Sequence, residues 1–195
     1  MNGLIVVTDR AQARHGLVRT IARAVEGGAR RVLLREKDLP ADARRALADE
    51  LRAILAPAGG RLIVAGPDPL GGDAVHLAAA GPYPPPVLPL VGRSCHDEAE
   101  LARLTTEDYV TVSPIFRTRS KPGYDAELGL TGLARLLGRT AARVVALGGI
   151  ETAAAARACV DTGAAGVAVM GAVMRAPDPA ALVATLIGAV AEPAR

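Results

Sequence analysis

Aromatic side chains are nearly missing from this chain, which has three tyrosines, one phenylalanine and no tryptophan in 195 residues. So few rings leave little with which to stack nucleic-acid bases, and neither helix-turn-helix nor zinc-finger spacing is present. The net charge of +3 comes from arginines dispersed over helical faces, not gathered in one block, so nucleic acid is not an expected partner. Cysteine is scarce too. Cys95 and Cys159 lie far apart without metal-ligand spacing, and the expectation is two reduced thiols, not a bridge. No apolar run reaches the roughly eighteen residues of a membrane helix. The N-terminus has no room for a signal peptide before the strand-like Leu4-Ile5-Val6-Val7, so a cytoplasmic location is expected.

What the chain does have is a series of short apolar runs, at 4–8, 31–35, 61–65, 74–77, 88–92, 109–113, 144–147 and 166–169. Most alternate with segments of helical period. Residues 11–27 place Leu17, Ile21, Ala24 and Val25 on one stripe, 41–56 place Leu47, Leu51, Ile54 and Leu55 on another, and 151–162 and 179–191 behave likewise. Asp42 and Thr152 are expected helix caps, while Gly27-Gly28 and Gly163 sit where helices should stop. About eight alternating units with continuous apolar strands predict a single α/β domain over 1–195, closed as a compact (β/α)8 TIM barrel. The stretch between 61 and 92, with Gly81-Pro82-Tyr83-Pro84-Pro85-Pro86, predicts loops or single turns in place of full helices.

In such a barrel the residues that finish strands face the active site. Leu147-Gly148-Gly149-Ile150 closes one strand and Met170-Gly171 the next, so two glycine turns lie side by side. They serve either as a cradle of backbone N–H groups for a phosphate or as simple permission for tight strand-to-helix packing. Arg35-Glu36-Lys37-Asp38 ends strand two, and Arg35 and Lys37 are suited to gripping phosphate oxygens. Ser94-Cys95-His96 follows strand five. Ser94 and His96 are candidate ligand contacts, His96 is alternatively a loop or cap residue, and Cys95 is read as an inert packed thiol before a nucleophile. The loop after strand six, from Ser113 through Tyr124, offers the Thr118 and Ser120 hydroxyls and the Lys121 ammonium, with Pro122-Gly123 as a hinge.

Taken together, L-R-E-K-D at 34–38, V-H-L at 75–77, V-G-R-S-C-H at 91–96, S-P-I-F-R-T-R-S-K at 113–121, A-L-G-G-I at 146–150 and G-V-A-V-M at 166–170 resemble the thiamine phosphate synthase and thiazole tautomerase superfamily. The resemblance implies a (β/α)8 barrel acting on a small phosphorylated heterocycle. The superfamily's synthases join a pyrimidine diphosphate to a thiazole phosphate with Mg²⁺, and its tautomerases isomerise a thiazole carboxylate phosphate. By that resemblance Arg35 and Lys37 hold the diphosphate side, and Ser94 lies at the reacting groups. Thr118, Ser120 and Lys121 line an anion loop, and Gly148, Gly149, Met170 and Gly171 cradle the thiazole phosphate. A homodimer is common in related barrels.

Three departures matter. Leu33 stands where synthases carry glutamine, Val64-Ala65-Gly66-Pro67 where they carry I-N-D-R, and Gly81 where an aspartate follows V-H-L-G-Q. The two absent aspartates are the synthases' Mg²⁺ ligands, and neither Asp68 nor Asp73 falls on a matching position. No metal ligand is therefore assigned, and Mg²⁺ enters only if condensation is the reaction. Tautomerases lack the aspartate pair as well, which favours a thiazole tautomerase-like isomerisation. The alternatives are an active synthase, a non-catalytic thiazole- or thiamine-phosphate binder, and a barrel turned to another phosphorylated substrate. The tautomerases' histidine at the end of strand six is Ser113 here, so His96, Cys95 or Glu36 would have to move the proton.

Overall fold

A computed structural model describes residues 3–117 and 127–191. Its centre is a closed barrel in which eight parallel strands pair in chain order, the last with the first. They are β1 (Gly3–Val7), β2 (Arg31–Leu34), β3 (Arg61–Ala65), β4 (Ala74–Leu77), β5 (Leu90–Cys95), β6 (Tyr109–Val112), β7 (Arg143–Leu147) and β8 (Gly166–Val169). The strands read as unbroken apolar runs because both of their faces are buried. One set of alternate side chains, including Ile5, Val7, Leu33, Ile63, Val145 and Ala168, fills the barrel interior. The other set, including Leu4, Val6, Val32, Leu34, Leu62, Val64 and Val167, packs under the helices.

Those helices are α1 (Leu17–Glu26), α2 (Ala41–Leu55), α3 (Glu98–Leu101), α4 (Gly129–Leu137), α5 (Ala153–Asp161), α6 (Gly171–Arg175) and α7 (Pro179–Val190). Several boundaries differ from the sequence reading. The first helix starts at Leu17, not residue 11, because Gly16 with φ 77° interrupts any helical backbone just before it. Asp42 lies in the first turn of α2, where its charge suits the helix dipole, while Pro40 occupies the cap position. Thr152 does cap α5, accepting the Ala155 N–H at 3.2 Å. The fifth strand runs to Cys95, so Ser94 and Cys95 belong to the strand; it begins only after Pro89, which has no N–H to give a ladder.

No helix stands between β3 and β4 or between β4 and β5. The outer face of β4 and β5, made of Val75, Leu77 and Val91, is covered by the connection after Leu77, held by an arginine. Arg93 is fully buried. Its Nε donates to Glu107 Oε1 at 2.5 Å, and its two terminal nitrogens donate to the carbonyls of Ala78 and Pro82, each at 2.9 Å. The guanidinium also lies 3.9 Å from the centre of the Tyr83 ring. One side chain thus ties the proline-rich segment to the barrel where a helix would ordinarily lie.

Candidate functional site

The carboxyl ends of the strands open on a cavity of about 360 Å³. Arg35, Lys37, Ser94, His96, Ser113, Gly148, Gly149, Met170 and Gly171, singled out from the sequence, all line it. Thr118, Ser120 and Lys121 lie outside the described residues, as does the Pro122-Gly123 hinge.

Alternation explains the tetrad after β2. Arg35 and Lys37 line the cavity, whereas Glu36 and Asp38 turn to Arg10. The Arg10 guanidinium donates to Glu36 Oε2 at 3.0 Å and to both oxygens of Asp38 at 2.7 and 2.6 Å. That pairing holds the Asp38 carboxyl down at about 2. Glu36 is buried and also accepts the Arg10 backbone N–H, so it is a clamp for the loop after β1 and not an acid or base in the cavity. Cys95 is excluded on the same footing. It faces the outer core, and burial pushes its thiol up to about 12.

His96 keeps its candidacy. Asp97, not His96, caps α3, accepting the Glu100 N–H at 2.8 Å. Glu100 in turn reaches back, accepting the backbone N–H of His96 at 2.7 Å and lying 2.9 Å from its Nδ1. A carboxylate on Nδ1 fixes the ring and leaves Nε2 as the nitrogen able to give or take a proton.

At the opposite side of the mouth stand the two glycine turns. Gly148 and Gly149 have φ of 100° and 68°, values that a side chain would strain. Among the described residues, no carbonyl accepts from the N–H of Gly148, Gly149 or Gly171. Gly171 is glycine for a different reason: a methyl group there would strike the guanidinium of Arg175, one helical turn on. Arg175 donates to Glu151 Oε1 at 2.9 Å and to Gln12 Oε1, and it lines the cavity beside the two turns. Backbone donors and a fixed cation therefore converge on one corner.

Four further lining residues with charged or polar side chains carry no role in the sequence reading: Asp9, His76, Glu151 and Arg175. His76 is the most consequential. It projects inward from β4, with Nδ1 at 3.1 Å from the Tyr109 hydroxyl and Nε2 at 3.0 Å from Ser94 Oγ and 3.3 Å from Thr111 Oγ1. Burial, reinforced by the charges of Lys37 and Arg93, lowers its pKa to about 3, so the ring is neutral. Its signal in the sequence was a polar residue at an inward position of an apolar strand.

The donor set does not fit a Mg²⁺ ion at the ends of β3 and β4. Ala65-Gly66 and Ala78-Ala79-Ala80-Gly81 offer no carboxylate there, Ala80 being the sixth residue counted from Val75 and Gly81 the seventh, and Asp68 accepts the Leu70 N–H at 2.8 Å and faces Arg45. Asp73 precedes β4, at the other end of the barrel, and pairs with Arg61. Among the described residues, no three acidic, cysteine or histidine side chains converge as a metal site.

Comparisons with known proteins agree with the architecture and the motifs. The sequence profile described as thiamine monophosphate synthase matches residues 4–173. A putative thiamine-phosphate synthase of Geobacter sulfurreducens is 36% identical, covering 90% of this chain and 88% of that protein. A thiamine-phosphate synthase of Roseiflexus castenholzii is 34% identical, over 96% and 87%. The solved thiamine phosphate pyrophosphorylase from Pyrococcus furiosus superposes with a TM-score of 0.81 at 27% identity, covering 96% of this chain and 95% of that one. No helix among the described residues is long and apolar enough to cross a membrane. With a closed eight-stranded barrel, a strand-end cavity and a profile match over most of its length, this chain belongs to the thiamine monophosphate synthase family.

Proposed function

We propose that the chain binds a thiazole phosphate at the turns after β7 and β8 and moves a proton on its ring without a metal, in the manner of a thiazole tautomerase. One combination supports this reading: an anion corner of Gly148, Gly149, Gly171 and Arg175, and an imidazole held by Glu100, share a cavity whose β3 and β4 ends lack carboxylates. His96 is the acid and base in this scheme, since a neutral imidazole takes a proton on Nε2 and returns it while Glu100 steadies the charge. His76 is unsuited to that task because its ring resists protonation, and it serves to orient Ser94. Ser113 replaces the strand-six histidine of the tautomerases and contributes only a hydroxyl.

The test is proton exchange. With a thiazole carboxylate phosphate in heavy water, ¹H NMR should show isomerisation and solvent deuterium incorporation that survive a chelator and disappear in His96→Asn. Turnover by His96→Asn at the wild-type rate would refute the assignment.

Condensation is the second reading, favoured by the names of the relatives and by the two cations, Arg35 and Lys37, in the cavity. It requires Mg²⁺, for which the residues present supply no aspartate pair. Formation of thiamine phosphate and diphosphate from the two substrates, dependent on added Mg²⁺, would establish it over isomerisation. Tight binding of thiazole phosphate with neither turnover would mark a non-catalytic binder. The homodimer common in related barrels is tested by sedimentation velocity.

A further inference from the structure

The barrel's amino-terminal mouth, opposite the cavity just described, has a chemistry of its own. Arg31, Arg61 and Arg143 open β2, β3 and β7. Two residues further along the same strands stand Leu33, Ile63 and Val145, which fill the barrel interior, so the three arginines share that inward parity and form its lowest layer. Arg31 and Arg61 are direct register partners on neighbouring strands. Like charges so placed repel. With Arg30 they line a cleft of about 570 Å³.

Carboxylates are few at this mouth. Among the described residues Asp108 is the one acidic residue in the lining, and its Oδ2 already accepts the Val91 N–H at 2.7 Å. Asp73 faces Arg61 at 3.3 Å. Arg143 makes no ion pair among the described residues, while Arg30 is pinned by donating to the carbonyls of Val25 and Ala29 at 3.1 and 3.0 Å. Guanidinium forks held in a concave wall are matched to tetrahedral oxyanions bearing several charges, and the concavity concentrates their field. Among the described residues Leu90 is the sole apolar side chain in the lining and no aromatic is present, which gives a base or ring little to rest on.

We propose that this mouth is a second anion site, separate from the strand-end cavity, that takes a compact polyanion of the diphosphate class. The strands separate it from the anion corner by roughly 15 Å, at about 3.3 Å per residue. It shares no described lining residue with the strand-end cavity.

The experiment is a titration of ¹⁵N-labelled protein with inorganic diphosphate at constant ionic strength, read on backbone amides. The expected result is a saturable shift of Gly59, Leu90 and Arg143, weakened at least tenfold in Arg143→Glu and unchanged in Arg35→Gln/Lys37→Gln. A parallel titration with a nucleoside diphosphate should bind no more tightly; tighter binding would overturn the assignment to a free inorganic anion. Shifts confined to Gly148, Gly149 and Gly171 would overturn the proposal. So would a non-saturating response reproduced by chloride. Arg143 is exposed and unpaired among the described residues, so its replacement leaves a folded protein in which loss of binding can be read.

Discussion

Ser94 Oγ lies 3.0 Å from His76 Nε2, and the other nitrogen of that ring lies 3.1 Å from the Tyr109 hydroxyl. Three strands thus meet through one neutral imidazole inside the barrel. Whichever nitrogen carries the proton, the ring donates once and accepts once, so Ser94 is oriented from within. Burial raises the pKa of Tyr109 above its ordinary value, so the phenol stays protonated beside it.

Acid should destabilise the protein through His76. Its folded pKa of about 3 lies far below the ordinary 6.5, so the unfolded chain binds the proton the folded one refuses. Stability is then complete above about pH 6.5 and falls as pH drops toward 3, at about 1.4 kcal/mol per pH unit for one proton. Urea melts of wild type and His76→Phe between pH 4 and 7 check this, and the variant should lose most of that slope.

Breaking the Arg93–Glu107 pair by Arg93→Met should cost about 3–5 kcal/mol, because a buried carboxylate is left without its partner. Burial pushes the Glu107 carboxyl up, but the Thr105 N–H and Arg93 outweigh it and hold it below its usual value. This contribution is therefore fully present above the ordinary carboxylate range and is lost as pH falls below it, through the depressed value of the folded protein. Thermal unfolding at pH 7 and pH 4 should show the variant closing on wild type at the lower pH.

Gly171→Ala should act on Arg175 and not on the backbone, since the added methyl meets the guanidinium. Thiazole phosphate binding measured by calorimetry should weaken about tenfold or more in Gly171→Ala and in Arg175→Gln, the scale of one charge-assisted hydrogen bond. The two changes should not add, because they remove the same contact.

Neither thiol should react in the native protein. Burial raises Cys95 to about 12 and Cys159 to about 11, and both side chains are covered. Alkylation by iodoacetamide at pH 8, followed by mass spectrometry, should label them only after denaturation.

The eight strands and their order were legible because burial on both faces writes continuous apolar runs, and the absent helices near β4 because prolines forbid them. The site was legible only where residues end strands. His76 stood in plain sight in V-H-L, yet its partners Ser94, Tyr109 and Thr111 come from other strands, 18, 33 and 35 residues away. No local period records a contact of that span. Arg175 was missed for a related reason: α6 is five residues long, too short for a periodic stripe to reveal that Gly171 makes room for it. Within the tetrad after β2 the cavity-facing Arg35 and Lys37 are legible as strand-end cations, while only the barrel shows that Glu36 and Asp38 turn away to hold Arg10.

Arg93 gives one sector of this barrel a different dependence on solvent from the rest. Elsewhere oily surfaces press helix against sheet, a contact that cold loosens and that holds no charge for acid to titrate. Around β4 and β5 the covering segment is anchored by one cation that meets a carboxylate, two carbonyls and an aromatic face at once. Acidification deep enough to protonate Glu107, which is held below its usual range, should accordingly loosen this quarter, where no helix covers the sheet.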